Sequence, residues 1–62
     1  MNLKGKTALV TGGAHRVGKM LSMALAEAGV NVIVNYGSSQ TAAQQTSAEI
    51  EEKGVKGWMM QA

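Results

Sequence analysis

Glycine and basic residues gather between residues 11 and 19, in the segment TGGAHRVGK. A glycine-rich segment that leads into a helix exposes backbone N–H groups, and the helix dipole adds a partial positive charge there. Because glycine has no Cβ, the backbone of such a segment can approach a phosphate closely. We therefore expect an anion-binding loop in which Gly12 and Gly18 are the most important positions.

The charge distribution agrees with an anion site near the N-terminus. The net charge of the 62 residues is +2, and the part before residue 32 carries +3 while the remainder carries −1. The basic residues form no continuous run, and no aromatic residues alternate with them. We therefore expect no binding of nucleic acid.

Two other classes of site are excluded by composition. The chain has no cysteine and a single histidine, His15, so it offers neither a disulfide framework nor a metal-ligand set. Its N-terminus is short and polar and is followed by one apolar run of strand length, which argues against a signal peptide or membrane span. We expect no metal, no membrane association and a cytoplasmic location.

Two strands and a helix position the glycine loop. Thr7–Thr11 is a short apolar run typical of a strand buried on both faces, and Asn31–Tyr36 is a second such run, rich in β-branched residues. A helix is predicted between them, from about Val17 to a C-terminal cap at Gly29. The apolar face predicted for this helix consists of Val17, Met20, Leu21, Ala24, Leu25 and Ala28.

A second helix and a third strand complete the pattern. Residues 40–53 are predicted as the helix, with a weakly apolar face made of Ala43, Thr46, Ser47 and Ile50. Residues 55–62 are predicted as the strand, with Trp58, Met59 and Met60 as core residues. The order β-α-β-α-β with short links predicts an α/β fold of the doubly wound parallel type. Right-handed crossovers place the strands in the order three, two, one, with strand one at an edge.

Two common glycine codes fit the loop only partly. Residues 13–19 match the first seven positions of the triphosphate-binding P-loop, but Met20 stands where a Ser or Thr hydroxyl should meet Mg²⁺. The ordinary dinucleotide pattern G-x-G-x-x-G also fails, because five residues separate Gly12 and Gly18. A wider spacing is needed to describe the loop.

That wider spacing, T-G-x-x-x-G-x-G, resembles the signature of the short-chain dehydrogenase/reductase family, which Thr11, Gly12 and Gly18 match. Arg16 replaces the middle glycine, as in the variant loop of pteridine reductases and related reductases, including carrier-protein ketoacyl reductases. The resemblance extends over the whole chain, through LKGKTALVTGG, VNVIVNYGSS and AEIEEKGVKGWMMQA. It implies a Rossmann fold and NAD(P)-dependent oxidoreduction, with residues 1–62 as the N-terminal, incomplete part of a dinucleotide-binding domain.

The resemblance and the residues after the second strand together favour NADP as the cofactor. A site for NAD usually carries an Asp or Glu about 20 residues after the glycine loop, to bind the ribose 2′-hydroxyl. This chain instead has the neutral segment NYGSS at residues 35–39, which is compatible with a 2′-phosphate. The expected cofactor-binding residues are Gly12, Gly13, His15, Arg16, Val17, Gly18, Tyr36, Ser38 and Ser39.

Catalytic residues are not expected within these 62 residues. The family's catalytic Ser, Tyr and Lys come from later segments, so we expect this chain by itself to be inactive. The resemblance implies that the parent protein reduces a carbonyl or pteridine-type substrate. The predicted edge position of strand one, TALVT, leads us to expect a homo-oligomer, in which another copy of the chain pairs with or covers that edge. Two alternatives stay open on the residues alone: a P-loop-like nucleotide binder and a structural β-α-β module without ligand.

Overall fold

A computed structural model describes residues 4–12, 16–38 and 40–61. Three strands and two helices alternate along the chain, as the sequence predicts. They are β1 (Thr7–Thr11), α1 (Arg16–Glu27), β2 (Asn31–Tyr36), α2 (Gln40–Glu52) and β3 (Gly57–Gln61). The structure confirms the bounds predicted for β1 and β2, and it starts β3 two residues later than expected.

The three strands form one parallel sheet in the order β1-β2-β3. The central strand β2 pairs with both neighbours, so that Val34 lies beside Val10 on one side and beside Met59 on the other. The structure therefore confirms the predicted strand order, with β1 at an edge. Because side chains alternate along a strand, residues paired in this way share one face of the sheet.

Both helices pack on one face of the sheet and build the core there. The buried cluster joins one residue of β1 and three of β2 to one residue of α1 and two of α2. Its members are Val10, Ala26, Val32, Val34, Tyr36, Ala43 and Ile50. The weakly apolar face predicted for α2 is confirmed, since Ala43, Thr46, Ser47 and Ile50 are all buried.

The face predicted for α1 is wrong. The structure buries Ser22 and Ala26 and half-buries Met23 and Leu25, whereas Val17, Met20 and Leu21 are 77%, 68% and 53% exposed. The helix lies against the sheet through the stripe that contains Ser22, whose hydroxyl donates a hydrogen bond to the Gly18 carbonyl oxygen at 2.8 Å. A serine satisfied within its own helix can be buried at little cost, so its polarity misleads a count of apolar positions.

The expectation that β1 is buried on both faces and the expectation that β3 contributes three core residues also fail. Of β1 only Val10 is buried, and Leu9 is 54% exposed. Trp58, Met59 and Met60 of β3 are 44%, 38% and 43% exposed, so they do not belong to the core. Both strands are edges of this sheet, and among the described residues nothing covers the face that carries Leu9, Ile33 and Trp58.

Two ion pairs join the helices across their outer surface. Lys19 Nζ lies 2.8 Å from Glu49 Oε2, and Lys53 Nζ lies 3.3 Å from Glu27 Oε1. Neither described helix has the length and apolar character that a membrane-spanning helix needs.

Candidate functional site

The carboxyl ends of all three strands meet along one edge of the sheet, which we call the carboxyl edge: Gly12, Tyr36–Ser38 and Gln61. Thr11 of β1 pairs with Asn35 of β2, and Tyr36 pairs with Gln61 of β3. In open parallel sheets, ligands bind outside this edge, where the strands are followed by loops and helix N-termini. The fold therefore brings the two segments singled out from the sequence, the glycine loop and the end of β2, next to each other.

Gly12 turns the chain out of β1. Its φ of 68° lies in the left-handed region, which residues with a Cβ rarely adopt. Its N–H donates a hydrogen bond to the Asn35 carbonyl oxygen at 3.0 Å, which extends the contact between β1 and β2 by one residue. The start of the glycine loop is thus fixed to the end of the central strand.

Three residues separate Gly12 from the first turn of α1, which begins at Arg16. Arg16 and Val17 are exposed and Gly18 is half-buried. The backbone N–H groups of a first helical turn have no partner within the helix, so they are available to an anion. Four residues of extended chain span at most about 14 Å, which limits how far this turn can lie from Gly12.

Three of the residues singled out from the sequence lie outside the described part of the chain. These are Gly13, His15 and Ser39. Their expected contacts with the cofactor stay predictions.

Two residues at the end of β2 have different surroundings. The Tyr36 side chain is 8% exposed and belongs to the core cluster, so little of it is accessible to a ligand. Ser38 is exposed, and its carbonyl oxygen accepts a hydrogen bond from the N–H of Gln40, at the start of α2, at 3.0 Å. Of the two, Ser38 is better placed to bind a ligand.

One contact of the carboxyl edge was missed by the sequence analysis. The side-chain amide of Gln61 donates a hydrogen bond from Nε2 to the Gly37 carbonyl oxygen at 3.0 Å. It connects the end of β3 to the loop that follows β2, across 24 positions of sequence. The sequence signal that could have indicated this contact was Gln61 itself, a polar residue at the end of an apolar strand. In a parallel sheet such a residue lies beside the loop that follows the neighbouring strand.

The chemistry open to the carboxyl edge is the binding of an anion. The edge and the first turn of α1 together present backbone N–H groups, an arginine and a serine, and the sequence has no Asp or Glu between Glu27 and Glu49. Within residues 4–12, 16–38 and 40–61, no three His, Cys, Asp or Glu side chains gather as a metal site would require.

Comparison with known proteins shows that the chain is similar to parts of longer proteins. The chain is 45% identical over all 62 residues to a short-chain dehydrogenase/reductase homolog, YusS, of Bacillus subtilis, and covers 57% of that protein. It is 44% identical over 57 residues to the 3-oxoacyl-[acyl-carrier-protein] reductase FabG of Staphylococcus epidermidis, covering 92% of this chain and 23% of the reductase.

Solved structures show the same arrangement. The angucycline C-6 ketoreductase LanV with bound NADP superposes with a TM-score of 0.93 at 38% identity, over 98% of this chain and 24% of LanV. An NAD⁺-bound xylitol dehydrogenase superposes with a TM-score of 0.87 at 28% identity, over 97% of this chain and 23% of that enzyme. The three strands and two helices thus form the first part of a Rossmann fold.

The family profile of short chain dehydrogenases matches residues 6–62, which include all five elements and the glycine loop. The chain belongs to the short-chain dehydrogenase family.

Proposed function

We propose that this chain is the cofactor-binding, N-terminal part of an NADP(H)-dependent oxidoreductase that reduces a carbonyl or pteridine-type substrate. The observation that carries the proposal is the carboxyl edge, where a glycine in the left-handed conformation and the neutral end of β2 lie side by side. Family membership supports the reaction class. The relatives are about two to four times as long as the chain, which supports its being one part of the dinucleotide-binding domain.

Gly12, Gly13 and the first turn of α1 would hold the pyrophosphate. Gly12 needs its left-handed φ to turn the chain, and the unpaired N–H groups of residues 16–18 would donate hydrogen bonds to the phosphate oxygens. Arg16 would add a positive charge beside them. Val17 and His15, in the same segment, would also contact the cofactor. When bound, the nicotinamide cofactor supplies the hydride that reduces the substrate.

The end of β2 would select NADP over NAD. A carboxylate at this place would bind the ribose 2′-hydroxyl and repel a 2′-phosphate, and the chain has none. Ser38 and Ser39 would donate hydrogen bonds to the 2′-phosphate, with Tyr36 contributing through the small part of its side chain that is exposed. The solved relatives include one with NADP and one with NAD⁺. The proposed preference of this chain for NADP therefore depends on its own residues at the end of β2.

Isothermal titration calorimetry with NADPH, NADH and Mg·ATP tests the proposed function. We expect NADPH to bind at least about tenfold more tightly than NADH, since charge-assisted hydrogen bonds to the 2′-phosphate contribute about 1.5–3 kcal/mol. Binding of Mg·ATP in preference to both dinucleotides would indicate a P-loop-like protein instead. Binding of none of the three would indicate a structural module.

Among the residues that the structure describes, no strand pairs with the outer edge of β1, which supports a further part of the proposal, that the chain associates with copies of itself. An unpaired edge strand offers a row of N–H and C=O groups to another strand. Leu9, in the middle of this strand, is 54% exposed, and its side chain would be removed from water on association.

A further inference from the structure

We propose that Gln61 is a positioning residue for the 2′-phosphate of NADPH, acting through the loop that follows β2. This inference rests on the proposed cofactor site and extends it to a residue on a different strand. The observation is the hydrogen bond from Gln61 Nε2 to the Gly37 carbonyl oxygen, 3.0 Å long.

The bond fixes the peptide unit between Gly37 and Ser38. A trans peptide is planar, and its C=O and N–H point in opposite directions. When the Gly37 carbonyl is held toward the Gln61 side chain on β3, the Ser38 N–H points away from β3. The strand on the other side of β2 is β1, which ends at Thr11 and is followed by Gly12.

A second contact fixes the other peptide of Ser38. Its carbonyl oxygen accepts the hydrogen bond from the Gln40 N–H at 3.0 Å, at the start of α2. Both peptide units that flank the Ser38 Cα are therefore held, one by β3 and one by α2. Within the described residues the Ser38 N–H itself has no hydrogen-bond partner, and Ser38 is exposed.

An exposed N–H in a fixed direction, on a segment without carboxylates, suits an anion with several acceptor oxygens. The ligand class that fits is a phosphate monoester, and in the proposed site this is the 2′-phosphate. The pyrophosphate of the cofactor would instead lie against the glycine loop. Gln61 therefore contributes to the choice between the two dinucleotides and little to the binding that they share.

Calorimetry on two matched variants tests this role. Gln61→Met keeps the length of the side chain and removes the donor. Gln45→Met makes the same chemical change at an exposed position of α2 that has no described hydrogen bond through its side chain. NADPH and NADH are titrated into the unsubstituted protein and both variants, and urea unfolding checks that each variant is folded.

We expect Gln61→Met to weaken NADPH binding about fivefold, because the lost hydrogen bond no longer holds the Ser38 N–H in its direction. NADH binding should change less than twofold, and Gln45→Met should change neither. Equal weakening of both dinucleotides, or no weakening of either, would overturn the role assigned to Gln61. If the unsubstituted protein shows no preference for NADPH, the proposed cofactor selection is wrong. The role of Gln61, which rests on that selection, is then wrong as well.

Discussion

At the scale of single residues, Gly12 sets the direction in which the chain leaves β1. Its φ is 68°, and its N–H is held by the Asn35 carbonyl oxygen at 3.0 Å. An L-residue adopts the left-handed conformation at a cost of about 1–2 kcal/mol. We therefore expect Gly12→Ala to lower the free energy of unfolding by about that amount and to weaken NADPH binding, as measured by urea denaturation and calorimetry.

Gly37→Ala is the matched control for this prediction. Gly37 has no left-handed φ, and a Cβ added to it would meet no atom within 4 Å. The free energy of unfolding should therefore change by less than about 0.5 kcal/mol. An equal loss of stability in the two variants would contradict the importance given to the conformation of Gly12.

At the scale of elements, β3 lies close against α2 at Gly57. A Cβ at this position would lie 2.8 Å from the Ser47 carbonyl oxygen and 3.1 Å from Cγ2 of Ile50. The Ile50 side chain is fully buried, so α2 cannot move away without opening the core. We expect Gly57→Ala to lower the free energy of unfolding by about 1–3 kcal/mol in urea denaturation. A change as small as that of Gly37→Ala would show that β3 can shift freely.

The two ion pairs between α1 and α2 should contribute little. Lys19 and Glu49 are 39% and 43% exposed in their side chains, and Lys53 and Glu27 are 39% and 63% exposed. Exposed pairs of this kind are stabilising by less than about 1 kcal/mol, and salt screens them. Double-mutant cycles at low and high salt should give a larger coupling energy for the shorter Lys19–Glu49 pair. A coupling above about 2 kcal/mol that persists in high salt would contradict this assignment.

Element positions could be predicted from sequence because strands and helix ends here carry strong local signals. The apolar runs TALVT and NVIVNY match β1 and β2, and Gly29 follows α1 as its predicted cap. The buried face of α1 could not be found this way, since it includes Ser22, whose hydroxyl is satisfied by the Gly18 carbonyl oxygen. Burial there depends on a contact that hydropathy does not record.

The candidate site was predictable to a similar degree. The spacing of Gly12 and Gly18 and the neutral segment after β2 indicated where an anion would bind, and the parallel pairing brings Thr11 beside Asn35. The hydrogen bond of Gln61 with Gly37 was not predictable, because it depends on the register between β2 and β3. Side-chain contacts between strands can be assigned only when the pairing and register of the strands are known.

At the scale of the whole molecule, the sheet is covered on one face only. Both helices lie over Val32 and Val34, and within the described chain the opposite face leaves Leu9 and Trp58 54% and 44% exposed. Doubly wound folds cover both faces of a parallel sheet with helices. The bare face and the greater length of the relatives together support the proposal that this chain is part of a larger domain.

The bare edge and face predict self-association of the 62-residue chain. Sedimentation velocity at rising protein concentration should show species larger than 6.5 kDa. Leu9→Lys places a charge on the edge strand β1 itself, where charges oppose pairing, and should shift the distribution toward the monomer. A monomer at every concentration in the unsubstituted chain would rule out association through β1.

Chemical-shift mapping of the backbone amides with NADP⁺ tests the central claim, that the carboxyl edge binds the dinucleotide. We predict that the largest shifts fall on Gly12, on residues 16–18 and on Ser38, with small shifts at the opposite ends of the strands, near Lys6 and Lys56. Shifts concentrated at that opposite end, or none at saturating NADP⁺, would contradict the account.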